Sequence, residues 1–191
     1  MVVGFAWAPR FGLLLRFWGA AMGLISVGFS GSRRLHRFGW QFHVSRVVRA
    51  VMAGGGQVVV GCAAGLDAMV RQECPQAVVF RAANRSAAAL VNRSTAMVRH
   101  LAAQQDAVLA IWPARACPAG LRPSQNPSRC FCGSGSGTWA SAALAAGLGC
   151  QVVVFGSAAP DWWGAWSAGS GLWSSGLVWS PPVRPVQQSL F

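Results

Sequence analysis

Lysine is absent from this chain, and carboxylates nearly so: Asp67, Glu73, Asp106 and Asp161 are the only four acids in 191 residues. So few carboxylates exclude most two-carboxylate hydrolases and the multi-acid cages that hold calcium or magnesium, since those chemistries need several acids converging on one point. Against the four acids stand 16 basic side chains, all Arg, for a net charge of +12. That balance favours an anionic partner, whether nucleic acid, nucleotide phosphate or an anionic membrane surface, and is silent about fold. Long apolar runs are missing too. Arg10 and Arg16 interrupt the apolar first stretch, whereas a spanning helix needs roughly 20 consecutive apolar residues. A secretory signal would carry its charge before the apolar region and a small-residue cleavage site after it, whereas here apolar residues precede the first Arg. Nor do the six cysteines form the dense framework of a small secreted domain. They point to a reducing cytosol, and no membrane contact is assigned. Cys117, Cys130 and Cys132 are the one metal-ligand candidate, but their C-x-C pair lacks a second close pair. No metal, cofactor or catalytic residue is assigned.

What is present is apolar. Residues of that class make up 53% of the chain, charged residues 10%, and the mean hydropathy is +0.41, which excludes a low-hydrophobicity disordered chain. The length suits one domain with appended segments. Residues 1–21 read as an extension, poorly ordered or an artefact of start-codon choice, because Met22 stands directly before the first convincing strand. Residues 22–156 read as the domain, 157–180 as a Trp-rich extension and 181–191 as a proline-containing tail.

Within 22–156 short β-branched runs alternate with helical spacing. Strands are expected at Leu24 to Phe29, Val58 to Val60, Ala77 to Phe80, Ala107 to Trp112 and Gln151 to Phe155. Helices are expected at about Phe38 to Met52, with Phe42, Val47, Val48 and Val51 on one face, then at Leu66 to Cys74, Ala87 to Gln104 and Trp139 to Leu148. Buried strands separated by helices imply an α/β fold: a Rossmann-like three-layer sandwich with a mostly parallel sheet of about five strands.

In such sheets ligands bind beyond the carboxyl ends of the strands, where loops meet helix N-termini with unpaired N–H groups. Three loops fall there. The first carries Gly31, Ser32, Arg33 and Arg34; the second Gly61, Ala64, Gly65 and Asp67; the third Ser134, Gly135, Ser136, Gly137 and Thr138. The third combines glycines, small hydroxyl donors and a helix start, as an anion cradle requires, although a plain flexible turn has the same composition. It is neither a Walker A loop nor a G-x-G-x-x-G turn after the first strand. Arg33, Arg34 and Arg93 are candidate clamps on the same anion, solvated surface being the alternative. Asp67 is a candidate helix cap or ribose contact. His36, His43 and His100 have no visible catalytic partners.

These loops resemble a family. Gly31-Ser32-Arg33-Arg34 with Gly39 resembles the G-S-R-x-x-S-x-Y-G opening of the Rossmann-like domain of DprA/Smf DNA-processing proteins, and Gly61 to Ala68 resembles their S-G-x-A-x-G-I-D-x-x-A stretch. Asn92-Arg93-Ser94 with Met97 looks like their R-N helix start, and Gly135-Ser136-Gly137-Thr138 their S-G-T loop. The four motifs keep their order over Leu24 to Gly156, a resemblance to the wider SLOG superfamily and, in the short span before Arg93, to its compact YspA-like members. The resemblance implies recognition of a nucleotide or single-stranded DNA at the loop crevice, in DNA processing or recombination, with a homodimer left open. The alternatives are a nucleotide-ligand sensor and a nucleoside monophosphate phosphoribohydrolase of the LOG type. Those hydrolases carry an acid three residues after their Gly-Thr, where this chain has Trp139, Ala140 and Ser141, so the expectation is binding without chemistry.

After Gly156 the composition shifts to Trp, Gly, Ser and Pro, with five of the ten tryptophans at 162, 163, 166, 173 and 179. A hairpin of Leu172-Trp173 with Leu177-Val178-Trp179 over one sheet edge is expected, and a stacking platform for bases is the alternative. The last five residues, from Gln187 to Leu190 and Phe191, resemble the bacterial sliding-clamp-binding peptide, Gln-Leu-Ser/Asp-Leu-Phe, at every position except Gln188. The resemblance implies the clamp as a partner, with Leu190 and Phe191 entering an apolar pocket and Gln187 supplying a hydrogen bond.

Overall fold

The computed structural model describes residues 25–34, 39–133 and 136–181. Five strands pair in parallel: β1 (Ser26–Gly31), β2 (Gln57–Val60), β3 (Val78–Val79), β4 (Val108–Trp112) and β5 (Gln151–Phe155). Their order is β3-β2-β1-β4-β5, compatible with a Rossmann-like α/β fold. The helices are α1 (Trp40–Ala53), α2 (Leu66–Glu73), α3 (Ala87–Ala102), α4 (Pro127–Cys130) and α5 (Gly137–Gly147).

Period-2 alternation along each strand decides which layer it feeds. Val58 and Val60 of β2, Ala110 and Trp112 of β4 and Val153 and Phe155 of β5 pack with α1 and α2 on one face. Val59, Leu109, Ile111, Val152 and Val154 pack with α3 and α5 on the other. Nearly all are fully buried, each worth about 1.5–3 kcal/mol relative to exposure when the residue is a large aliphatic or Phe. Gly28 of β1 lets α3 approach closely, because a Cβ there would stand 2.7 Å from Leu101 Cδ2. Phe42 departs from expectation. The buried stripe of α1 is Trp40, Val44, Val47, Val48 and Val51, and Phe42, about 200° around the helix from Trp40 at 3.6 residues per turn, is 78% exposed.

The sheet has seven strands where about five are expected. After β5 the chain returns along its free edge as β7 (Gly176–Trp179), antiparallel, with Val152 opposite Trp179 and Phe155 opposite Gly176. β6 (Ser167–Ala168) then pairs with β7. The hairpin partner of β7 is therefore Ser167-Ala168, while Leu172-Trp173 belongs to a 3₁₀ turn, Gly171–Trp173. Gly169 donates its N–H to the Gly176 carbonyl at 2.9 Å, so the strands meet before that turn is reached. The tryptophans of this segment pack. Trp163 and Trp179 join the core on the α5 side. The indole N–H groups of Trp162, Trp163, Trp166 and Trp179 all donate to backbone carbonyls, and Trp173 leans on Phe155. Indoles tied down in this way are wall material rather than an open stacking platform.

His43, on α1, has a structural place. Its ring meets Phe155 edge-on at 4.6 Å and lies 5.7 Å from Trp112. An indole N–H only donates, so the Trp112 Nε1 contact at 3.3 Å requires an unprotonated Nδ1. The proton then sits on Nε2 and is donated to Ser175 Oγ at 2.6 Å. In that tautomer His43 cannot take a proton from Ser175, and the pair is an anchor for the hairpin, not a nucleophile with its base. Burial, aided by the charge of Arg46, lowers the pKa of His43 below 6.5. Between that lowered value and 6.5 the unfolded chain binds more protons, so stability rises with pH through the window and is lost as pH falls through it. Thermal melts between about pH 7.5 and about pH 5 should show Tm falling on acidification, with a shallower fall in His43→Gln. Equal slopes in the two proteins would remove His43 as the cause.

Candidate functional site

The carboxyl ends of β1 and β4 adjoin where the strand order reverses, β2 following β1 on one side and β5 following β4 on the other. The loop after β1 is held between them. Ser32 donates its N–H to the Trp112 carbonyl at 3.1 Å, and its own carbonyl accepts the Leu66 N–H at 3.1 Å. The start of α2 presses on this loop so closely that a Cβ on Gly65, at φ 71°, would fall on the Arg33 backbone. A Cβ on Gly31 would stand 2.5 Å from Leu66 Cδ1. Both glycines shape the crevice by packing.

The second loop is fixed by a charge cluster. Asp67 Oδ2 accepts from the Ala63 N–H at 3.0 Å and from Arg93 Nη1 at 2.9 Å. The Asp67 and Arg93 side chains are only 6% and 9% exposed. Asp67 makes no capping bond to the N-terminus of α2, so the helix-cap expectation gives way to a buried ion pair that ties α2 to α3. Gly61 gives the pair its room, since a Cβ there would overlap Arg93 Nη1 where it now lies. Arg71, one turn beyond Asp67 on α2, donates from Nη1 to the Gly61 carbonyl at 2.7 Å and from Nη2 to the Ala63 carbonyl at 3.2 Å. Sequence reasoning missed Arg71. Its i+4 spacing from Asp67 on α2 was the available signal.

The third loop ends at the N-terminus of α5. Ser136 Oγ caps it by accepting the Trp139 N–H at 3.4 Å, and Ser141 donates its hydroxyl to the Gly137 carbonyl at 2.9 Å. A Cβ on Gly137 would meet nothing within 4 Å. Packing does not demand glycine here, and the space beside it is open.

These elements enclose a cleft of about 350 Å³. Gly31, Ser32, Arg33, Asp67, Arg93, Ser136, Gly137 and Thr138 line it, as the sequence placed them. Gly61, Ala64 and Gly65 do not: the two glycines lie behind the wall and Ala64 is exposed beside it. Gly135 lies outside the described residues, as do Ser134, His36 and the tail residues Gln187, Leu190 and Phe191. The wall also contains Leu90 and Val91 of α3, Arg115 within the long loop after β4, and Phe131 just beyond α4, none of which reasoning from the three glycine-bearing loops included. An apolar side and a hydroxyl-and-arginine side thus share one cleft. Arg33 and Arg115 at its mouth are exposed, and the loops after β1 and β3, at the same end of the sheet, expose Arg34, Arg81 and Arg85. Asp67 is the one carboxylate on the wall among the described residues. Glu73, paired with Arg49, ends α2 far from this mouth, and Asp106 precedes β4 at the other end of the sheet.

Among the described residues no three His, Cys, Asp or Glu side chains converge, and burial pushes the Cys117 thiol up to about 12 and that of Cys130 up to about 11. No helix among the described residues is long and apolar enough to cross a membrane. No family model, curated protein or solved structure matches the chain.

Proposed function

We propose that the cleft binds the phosphate of a nucleotide or of single-stranded DNA and performs no chemistry on it. Arg93 carries this reading. Its guanidinium has five N–H donors, yet beyond the single bond to Asp67 none has a partner among the described residues, and Nε is buried without one. A buried guanidinium with unused donors, lining a cleft that also contains the N-terminus of α5, is suited to an anion. Ser32, Ser136 and Thr138 add hydroxyls, and the exposed arginines at this end of the sheet would meet further phosphates of a strand. The SLOG resemblance points the same way, toward a role in DNA processing or recombination.

The volume favours a second reading, a sensor of one small nucleotide, because about 350 Å³ is at the low end for ligand pockets. Glycosidic hydrolysis is disfavoured, since Asp67 is committed to Arg93 and Ser141, its hydroxyl donated to the Gly137 carbonyl, stands where the LOG-type acid would be. Fluorescence anisotropy with oligothymidylate and with AMP, at two salt concentrations, separates the two readings. A strand bound through the mouth should lose affinity with a log–log slope of about −0.7 per phosphate contacted. AMP binding with weak salt dependence and no oligonucleotide preference would favour the sensor. Binding of neither probe at millimolar concentration would overturn the proposal.

A further inference from the structure

The loop between β4 and α4, residues 113–126, has no regular structure of its own, yet it brings Ala114 and Arg115 to the cleft wall. A loop of this length needs outside partners for its carbonyls if it is to keep one conformation. The C-terminal extension supplies them. The Leu121 carbonyl accepts two indole N–H groups, from Trp162 Nε1 at 2.8 Å and Trp163 Nε1 at 2.6 Å, which uses both of its lone pairs. Arg122 Nη1 donates back to the Trp162 carbonyl at 2.9 Å. Nearer the cleft, the Arg115 carbonyl accepts Trp139 Nε1 at 2.9 Å, and the Trp139 ring meets the Trp163 ring edge-on at 5.8 Å. The connection runs from the extension through Leu121 and Trp139 to Arg115.

We propose that Trp162 and Trp163 are positioning residues for the cleft: they touch no ligand, and they hold the β4–α4 loop where Arg115 and Ala114 form the wall. The role of the loop as a ligand wall rests on the reading of the cleft given above; its restraint by the two indoles does not. Leu121 is 4% exposed, so removing both indole donors leaves a buried carbonyl without partners, and the loop gains by opening toward water.

Hydrogen exchange on the full chain tests this, with the double variant Trp162→Phe/Trp163→Phe, which keeps two aromatic rings and loses both donors. The Leu121 and Ser124 amides, bonded to the Pro118 and Ala143 carbonyls, should exchange at least about tenfold faster, while β2 and β4 amides keep their rates. AMP and oligothymidylate should bind several-fold more weakly. Trp166→Phe is the control: its N–H goes to Pro160, inside the extension, and both readouts should match wild type. Unchanged loop exchange in the double variant would overturn the proposal, and so would faster exchange with unaltered affinity for both probes. If wild-type protein binds neither probe, the cleft reading fails on that result alone, and exchange still decides whether the indoles restrain the loop. Should the double variant unfold, Trp162→Phe alone, at a half-buried position, carries the same measurements.

Discussion

Arg93→Ala is expected to lower the unfolding free energy by roughly 3–5 kcal/mol, the usual cost of removing one partner from a buried ion pair. The pair qualifies: both side chains are at least nine-tenths buried and 2.9 Å apart. Truncation strands the Asp67 carboxylate with the Ala63 N–H as its remaining partner, and it removes the guanidinium packed against Gly61. Urea unfolding is the measurement. Asp67→Leu combined with Arg93→Met should be less destabilising than either Ala single variant, because an apolar pair of similar size leaves no lone charge. Ligand affinity should be lost in every Arg93 variant, including the stable double one. A stability change below about 1 kcal/mol in Arg93→Ala would mean that water reaches the pair, as at a surface ion pair. From sequence alone Arg93 reads as a ligand clamp or as solvated surface; burial makes it structural as well.

Gly65→Ala should destabilise by about 2–6 kcal/mol, from two sources that act together. A φ of 71° with ψ of −124° is a region reserved for glycine, costing an L-residue about 1–3 kcal/mol. The new Cβ would also overlap the Arg33 backbone, and overpacking adds about 1–3 kcal/mol. Backbone, unlike the end of a flexible side chain, cannot swing aside. The loop after β1 must therefore shift with α2, and the cleft with it. Gly133→Ala is the control at another positive φ, 84°, with no atom within 4 Å of the added Cβ, so it should show the strain without the clash. Equal losses in the two variants would show that the close approach of α2 to Arg33 contributes nothing.

The five parallel strands, their helices and the crevice were legible in the residues because each depends on short-range periodicity. Val58-Val59-Val60 and Val152-Val153-Val154 are β-branched runs buried on both faces, and such runs read as strands without knowledge of their neighbours. The glycine and hydroxyl composition at Ser136 to Thr138 likewise marked a loop meeting a helix. Phe42 misled because an apolar residue two places off the helical stripe looks like a core residue until the stripe is anchored by Trp40.

Long-range partnership was decided by the tertiary structure alone. Sequence placed Asp67 and Arg93 in the same crevice, but only packing of α3 against the β2–α2 loop turned them into a buried pair across 26 residues. The Trp-rich extension could be expected to cover an edge, yet its register, with Ser167-Ala168 as the partner of β7, followed from where the antiparallel ladder on β5 closes. The tryptophans carry the same lesson. Their number was plain in the composition, while their use, two indoles on one Leu121 carbonyl some 40 residues away, depended on a loop with no periodicity of its own. Local pattern determines what an element is. Which carbonyl, carboxylate or indole it meets depends on close packing between segments distant in the chain, where a single Cβ or N–H selects the contact.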